Sequence, residues 1–191
     1  MKKIVLAISG ASGVIYGLKL LDAVINNFHV ALIVSNSAID VIQHETSMDF
    51  KNIESIKKKF NHPNLMVYSE KDLSAPIASG SHKTYGMFIV PCSMKTLSSI
   101  ANGYADNLIT RTADVMIKEK RKLVISPREM PLSAIHLENM LKLAKLGVII
   151  APPVPGFYHK PESIDDIVNF VVGKLLDCME IENQLYRRWN G

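Results

Sequence analysis

Several stretches of this sequence gather small, hydroxyl and charged side chains of the kind that hold a phosphate. They are Ser9-Gly10-Ala11-Ser12-Gly13, Ser35-Asn36-Ser37, Ser93-Met94-Lys95-Thr96 and Pro127-Arg128-Glu129, with a last one from Pro152 to His159. Small residues let the backbone approach a ligand closely. The N–H groups opening a following helix turn positive dipole toward an anion. The spacing at Gly10 is not G-x-G-x-x-G, no Walker sequence occurs, and a tight turn without ligand is the plain alternative. Ser35 stands where an NAD enzyme places an acidic residue for the ribose hydroxyls. NAD and nucleoside triphosphates are therefore disfavoured, and a mononucleotide such as FMN remains.

The charged candidates divide by position. Arg128 and Glu129 follow an apolar run and Pro127, and a carboxylate beside phosphate-binding cations can accept a proton. Arg111 and Lys118 share one helix face, and Asp114 is spaced to pair with Lys118 as an ordinary solvated pair. Lys174 follows Ile167, Phe170 and Val171 at helical spacing, a cation on an apolar stripe. It either snorkels at the stripe's edge or aims into a site or a subunit interface. The six histidines form no H-x-x-x-H or Cys/His cluster, so no metal site is expected. Cys92 follows a proline at a strand end, but no Cys-His-Asp order supports a nucleophile, and a packed thiol is the better reading.

These residues need a scaffold, and the apolar pattern supplies one. Strands are predicted at 4–9, 29–35, 65–68, 87–90, 123–126 and 148–151. Helices are predicted at 14–27, 37–45, 94–102, 108–120, 133–146 and 163–179, with a short one inside 46–64. Ser163 with Asp166 three residues on reads as a capping box. Alternating strands and helices, with strands that are unbroken apolar runs, predict an α/β fold: a doubly wound, mostly parallel Rossmann-like sheet with helices on both faces. Ligands of such sheets bind outside the carboxyl ends of the strands, where the stretches above fall.

Composition sets the outer bounds. The chain has 191 residues, 48% hydrophobic and 21% charged, enough apolar material for one core. One flavoprotein-like domain over 1–191, with a tail from about 180, is the economical division. Two cysteines, Cys92 and Cys178, are too few for a disulfide framework and fit reduced thiols in the cytoplasm. No membrane span is expected, and the apolar run at Ile4–Ile8 is too short for a signal peptide. A net charge of +4 is a mild excess rather than a nucleic-acid stripe, and Lys57–Lys59 reads as a solvated helix face.

The motifs taken together resemble the UbiX family of flavin prenyltransferases, within the homo-oligomeric flavin-containing decarboxylase-like fold. The segments are SGASGVIYGLKLLD (9–22), IVSNSA (33–38), HET (44–46), APIASGS (75–81), PCSMKTLSSIANGYADNLITRTADVMIKE (91–119), PREMPLSAIHLENMLKLAKLG (127–147) and PPVPGFYHKPESIDDIVNFVVGK (152–174). The resemblance implies a metal-independent enzyme that joins the dimethylallyl group of dimethylallyl monophosphate to N5 and C6 of reduced FMN. The prenylated FMN then serves a UbiD-type decarboxylase. A homododecamer with active sites at subunit interfaces is implied as well. Carried over by position, the FMN contacts would be Gly10, Ala11, Ser12, Ser35, Ser93, Met94, Lys95, Thr96 and Arg128. The prenyl donor would meet Ser12, Glu45, Arg111, Lys118, Glu129, Tyr158 and Lys174. Arg111, Lys118 and Lys174 would neutralise the departing phosphate, with Ser12 and Tyr158 donating hydrogen bonds. Glu129 or the phosphate itself would take the proton. One departure is Leu73, where some members place a Trp against the prenyl group. The alternatives are an FMN-dependent cysteine-type decarboxylase of the same fold and a non-enzymatic flavin carrier. A carrier would not need Arg111, Lys118, Glu129 and Lys174.

Overall fold

The computed structural model describes residues 1–189. Its first half runs β1 (Lys2–Ile8), α1 (Val14–Val24), β2 (Phe28–Val34), α2 (Asn36–Glu45), α3 (Ile53–Lys59) and β3 (Leu65–Ser69). A 3₁₀ turn at Pro76–Ala78 leads to the second half: β4 (Gly86–Cys92), α4 (Met94–Ala101), α5 (Leu108–Lys118), β5 (Lys122–Pro127), α6 (Ala134–Lys145), β6 (Ile149–Ile150) and α7 (Ile164–Cys178). The strands lie in the order β3-β2-β1-β4-β5-β6, and every neighbouring pair is parallel. The chain winds outward from β1 to one edge, returns, and winds out to the other. The crevice between the carboxyl ends of β1 and β4 is therefore the switch point of the sheet.

Both faces of the sheet are covered, which is why the strands read as unbroken apolar runs. Ile4, Leu6 and Ile8 of β1 point into a core shared with Leu18 and Leu21 of α1 and Val171 and Leu175 of α7. Val5 and Ala7 point the other way, into a core with Leu97 of α4, Ile109 and Met116 of α5, and Leu143 of α6. Helix starts are fixed by side-chain caps. Ser35, Ser93, Asn107, Ser133 and Ser163 each accept a hydrogen bond from a backbone N–H of the first turn. Such a cap contributes about 1 kcal/mol. The box expected at Ser163 and Asp166 is formed in both directions. No helix among the described residues is long and apolar enough to cross a membrane.

Beyond α7 the chain reverses and lies back across that helix. Asp177 accepts hydrogen bonds from Asn183 Nδ2 at 2.9 Å, Tyr186 Oη at 2.6 Å and both terminal nitrogens of Arg188 at 2.8 and 3.0 Å. The tail read from the sequence is thus a docked segment as far as Trp189, and its last two residues lie outside the described ones. Burial and the bond to Asp177 push the Tyr186 phenol up to about 12. Burial also pushes the Asp177 carboxyl up, but the bonds from Arg188 and Tyr186 and the Arg188 charge outweigh it and hold the group below its ordinary value. A depressed carboxylate contributes stability above its unfolded pKa, near 3.9, and loses it as pH falls through the lower folded value. The tail is therefore expected to stay docked from neutrality to about pH 4 and to loosen below that. Fluorescence anisotropy of Trp189, the chain's one tryptophan, checks this in an acid titration, and loosening between neutrality and pH 5 would contradict it.

Candidate active site

The switch-point crevice is built by hydroxyls. Ser9 is 1% exposed; its Oγ donates to Pro91 O at 3.0 Å and accepts from Ser93 N at 2.8 Å. That pair of bonds locks the end of β1 to the end of β4. Ser35 caps α2 and lies 3.1 Å from Ser37 Oγ, and Ser93 caps α4 with its Oγ 3.0 Å from Thr96 Oγ1. A Cβ added at Gly10 would meet Ser37 Oγ at 2.3 Å. Only a glycine lets the β1–α1 turn come so near the start of α2. Ser35, Ser37, Ser93, Lys95, Thr96 and Thr110 line a polar cavity of about 40 Å³. That is room for a few waters or a phosphate head, not for a ring system. Donor hydroxyls, the start of α4 and the close-set backbone fit the phosphate end of a mononucleotide. Such a ligand would have to extend along the rim with its ring outside this cavity.

One expectation about this rim changes. The small-residue turn before α1 predicts free N–H groups for a ligand anion. Instead Glu45, at the end of α2, fills that place: its Oε2 accepts from Gly13 N at 2.8 Å and Val14 N at 3.1 Å. A carboxylate at a helix N-terminus is favourable for the same reason a phosphate is. The helix start left to a ligand anion is that of α4, because a second carboxylate, Glu70, already takes the first N–H of α2. Sequence reasoning also misses two residues lining the cavity. Glu70 accepts from Asn36 N at 2.8 Å, and Asn107 opens α5. Glu70 comes directly after β3, so reading past the end of that strand as past the others would find it.

The remaining candidates separate by place. Gly10, Ala11, Ser12, Ser35 and Ser93–Thr96 share the rim with Arg128 and Glu129, which come just after β5. Arg128 N donates to Cys92 O at 3.1 Å, and both side chains are exposed. Arg111 and Lys118 lie instead on α5, which starts at the rim and descends toward the foot of the sheet. Arg111 donates to Ala78 O at 3.1 Å and to Asp114 at 2.9 Å. The pairing read from the spacing is thus corrected: Asp114 binds Arg111 three residues back, while Lys118 sits 3.5 Å from Glu119. Lys118 is near the start of β5 and Glu129 beyond its end, and a strand of that length separates its ends by about 17 Å. Tyr158 and Lys174 form a third group at α7, where Tyr158 meets the Phe170 ring edge-on and Lys174 is exposed one turn further along. Cys92 is fully buried, and burial pushes its thiol up, which makes it a packing group rather than a nucleophile.

The geometry defines a doubly wound, all-parallel α/β scaffold with a polar, phosphate-sized crevice at its switch point, and comparison names its family. The model of the family described as "Flavoprotein" matches residues 1–176. A flavin prenyltransferase UbiX from Methanocaldococcus jannaschii is 51% identical over 187 residues, covering 98% of each chain. Among solved structures, AnUbiX (PadA1) in complex with FMN and dimethylallyl pyrophosphate superposes with a TM-score of 0.91 at 42% identity, covering 100% of this chain and 98% of that one. A dodecameric FMN-dependent UbiX-like decarboxylase from Escherichia coli O157:H7 gives 0.91 at 44% identity, covering 99% and 100%. The chain belongs to the flavoprotein family and, within it, to the UbiX flavin prenyltransferases. Peptidyl-cysteine decarboxylase EpiD, at 22% identity and a TM-score of 0.60, shares the fold alone.

Proposed function

We propose that this chain transfers a dimethylallyl group from dimethylallyl monophosphate to N5 and C6 of reduced FMN, giving prenylated FMN for a UbiD-type decarboxylase in the cytoplasm. The observation that carries it is the rim: hydroxyl caps of α2 and α4 converge on a phosphate-sized cavity, with Arg128 and Glu129 on the same sheet edge. FMN supplies the electron-rich ring that takes up the prenyl group; the chain's own residues bind, orient and move a proton. Gly10, Ala11, Ser12, Ser35, Ser93 to Thr96 and Arg128 hold the flavin nucleotide. Arg111, Lys118 and Lys174 balance charge on the departing phosphate while Ser12 and Tyr158 donate to it. Glu129 accepts the proton released on ring closure.

These groups lie apart on one copy, so the donor subsite is completed between copies. The surface supports that reading. Met130 is 89% exposed and Ile135, Leu137 and Leu141 of α6 are 67%, 52% and 56% exposed, a run of apolar side chains beginning at the rim that water covers poorly. The E. coli neighbour's dodecameric assembly supplies the pattern for this one. Leu73, 49% exposed on the turn after β3, leaves the prenyl wall there aliphatic.

The test is anaerobic incubation of the purified protein with reduced FMN and either dimethylallyl monophosphate or diphosphate. A flavin heavier by one five-carbon prenyl unit, formed with the monophosphate, is the expected product. Flavin recovered unmodified with both donors would refute the activity. Product with the diphosphate alone would move the donor assignment and leave the transfer standing.

A further inference from the structure

Tyr158 sits on a loop with little backbone support. Pro152, Pro153 and Pro155 cannot donate, and the backbone bonds inside the loop are Val154 N to Pro152 O and Lys160 N to Phe157 O. Aromatic rings hold it instead. Phe170 of α7 meets Tyr158 edge-on, with centroids 5.7 Å apart, and stacks flat on His159 at 5.0 Å. A second edge-on neighbour is Trp189, whose ring stands at 80° to Tyr158 with centroids 5.5 Å apart. Trp189 belongs to the tail, and the tail is fastened by Asp177. That carboxylate gathers Asn183, Tyr186 and Arg188, so one side chain fixes three points of the returning segment. The fit beneath is close. A Cβ at Gly173 would meet the Tyr186 ring at 2.4 Å, and Tyr186 in turn packs against Phe170 at 5.1 Å. Asp177, Tyr186, Phe170, Tyr158 and Trp189 thus form one contiguous set ending on the ring assigned to the donor.

We infer that Trp189, clasped to α7 through Asp177, is a positioning residue that sets the orientation of Tyr158 toward the phosphate of the prenyl donor. The inference rests on the proposed contact between Tyr158 and that phosphate, and its test separates the two. Trp189 is 68% exposed and belongs to neither core, so its replacement leaves both cores intact. The apparent KM for dimethylallyl monophosphate is measured in the FMN-loaded protein and in Trp189→Ala, Trp189→Phe, Tyr158→Phe and the Trp189→Ala/Tyr158→Phe pair. Trp189→Ala is expected to raise KM about three- to tenfold, the scale of one aromatic pair, with FMN affinity unchanged. Trp189→Phe restores most of the loss, and in the Tyr158→Phe background Trp189→Ala adds nothing. The anisotropy of Trp189 falls in Asp177→Asn. If Tyr158→Phe alone leaves KM unchanged, the assignment of Tyr158 fails and the inference with it. If Tyr158→Phe raises KM but Trp189→Ala does not, or the two effects multiply, Trp189 does not act through Tyr158 and the inference alone is overturned. Unchanged anisotropy in Asp177→Asn overturns the clasp.

Discussion

Replacing Glu129 by glutamine lowers single-turnover formation of prenylated flavin by about 10²–10⁴-fold, the usual scale for a general acid–base group. The structure makes this substitution interpretable. Glu129 is exposed on the rim, and its Oε1 accepts from Met130 N at 3.0 Å. A glutamine carbonyl accepts that bond equally well, so the side chain keeps its place and loses only the ability to take a proton. The neighbouring backbone stays tied through Arg128 N to Cys92 O. FMN affinity and the state of assembly should therefore match the wild type. The measurement is anaerobic, with free phosphate and the flavin spectrum followed together. A loss of only a few-fold would hand the proton to the departing phosphate and leave Glu129 a positioning role. A wild-type rate would make the rim carboxylate a structural group.

The rim is legible in the sequence because its signals are local. A strand is a short apolar run, and the turn at its carboxyl end has a chemistry that can be read directly. All six strands fall where the pattern puts them, with ends shifted by a residue or two, although β6 keeps only Ile149 and Ile150. Helix starts are equally readable where a cap and its box are three residues apart, as at Ser163 and Asp166. Partners chosen in space are not legible. Glu45 reaches the N–H groups of Gly13 and Val14 from 32 and 31 residues away, and no spacing rule links them. Asp114 has two cations within helical reach, and a side-chain rotamer, which spacing does not encode, decides for Arg111. The stretch from about residue 180 reads only as a tail. Its docking depends on one carboxylate meeting three donors, and a Gly173 with no side chain makes room for it.

Two inactive variants should restore each other when they share an assembly. Lys118 lies toward the foot of β5 and Glu129 past its carboxyl end, so one copy cannot offer both to a donor the size of dimethylallyl phosphate. If both serve one reaction, they come from different copies. Lys118→Ala and Glu129→Gln should each be nearly inactive alone, the first because a phosphate leaving without its cation is costly, the second for lack of a base. When the two chains are co-expressed and mixed at random, half the copies carry an intact Lys118 and half an intact Glu129. A site drawing one residue from each of two copies is whole about a quarter of the time, so activity should return to about a quarter of the wild-type level. The control is each variant assembled with itself, checked by sedimentation to have the wild-type size. Mixed assemblies no more active than their parents would place both residues in the same copy's site or remove one from the reaction. A wild-type chain sedimenting as a monomer at micromolar concentration would defeat the shared site outright.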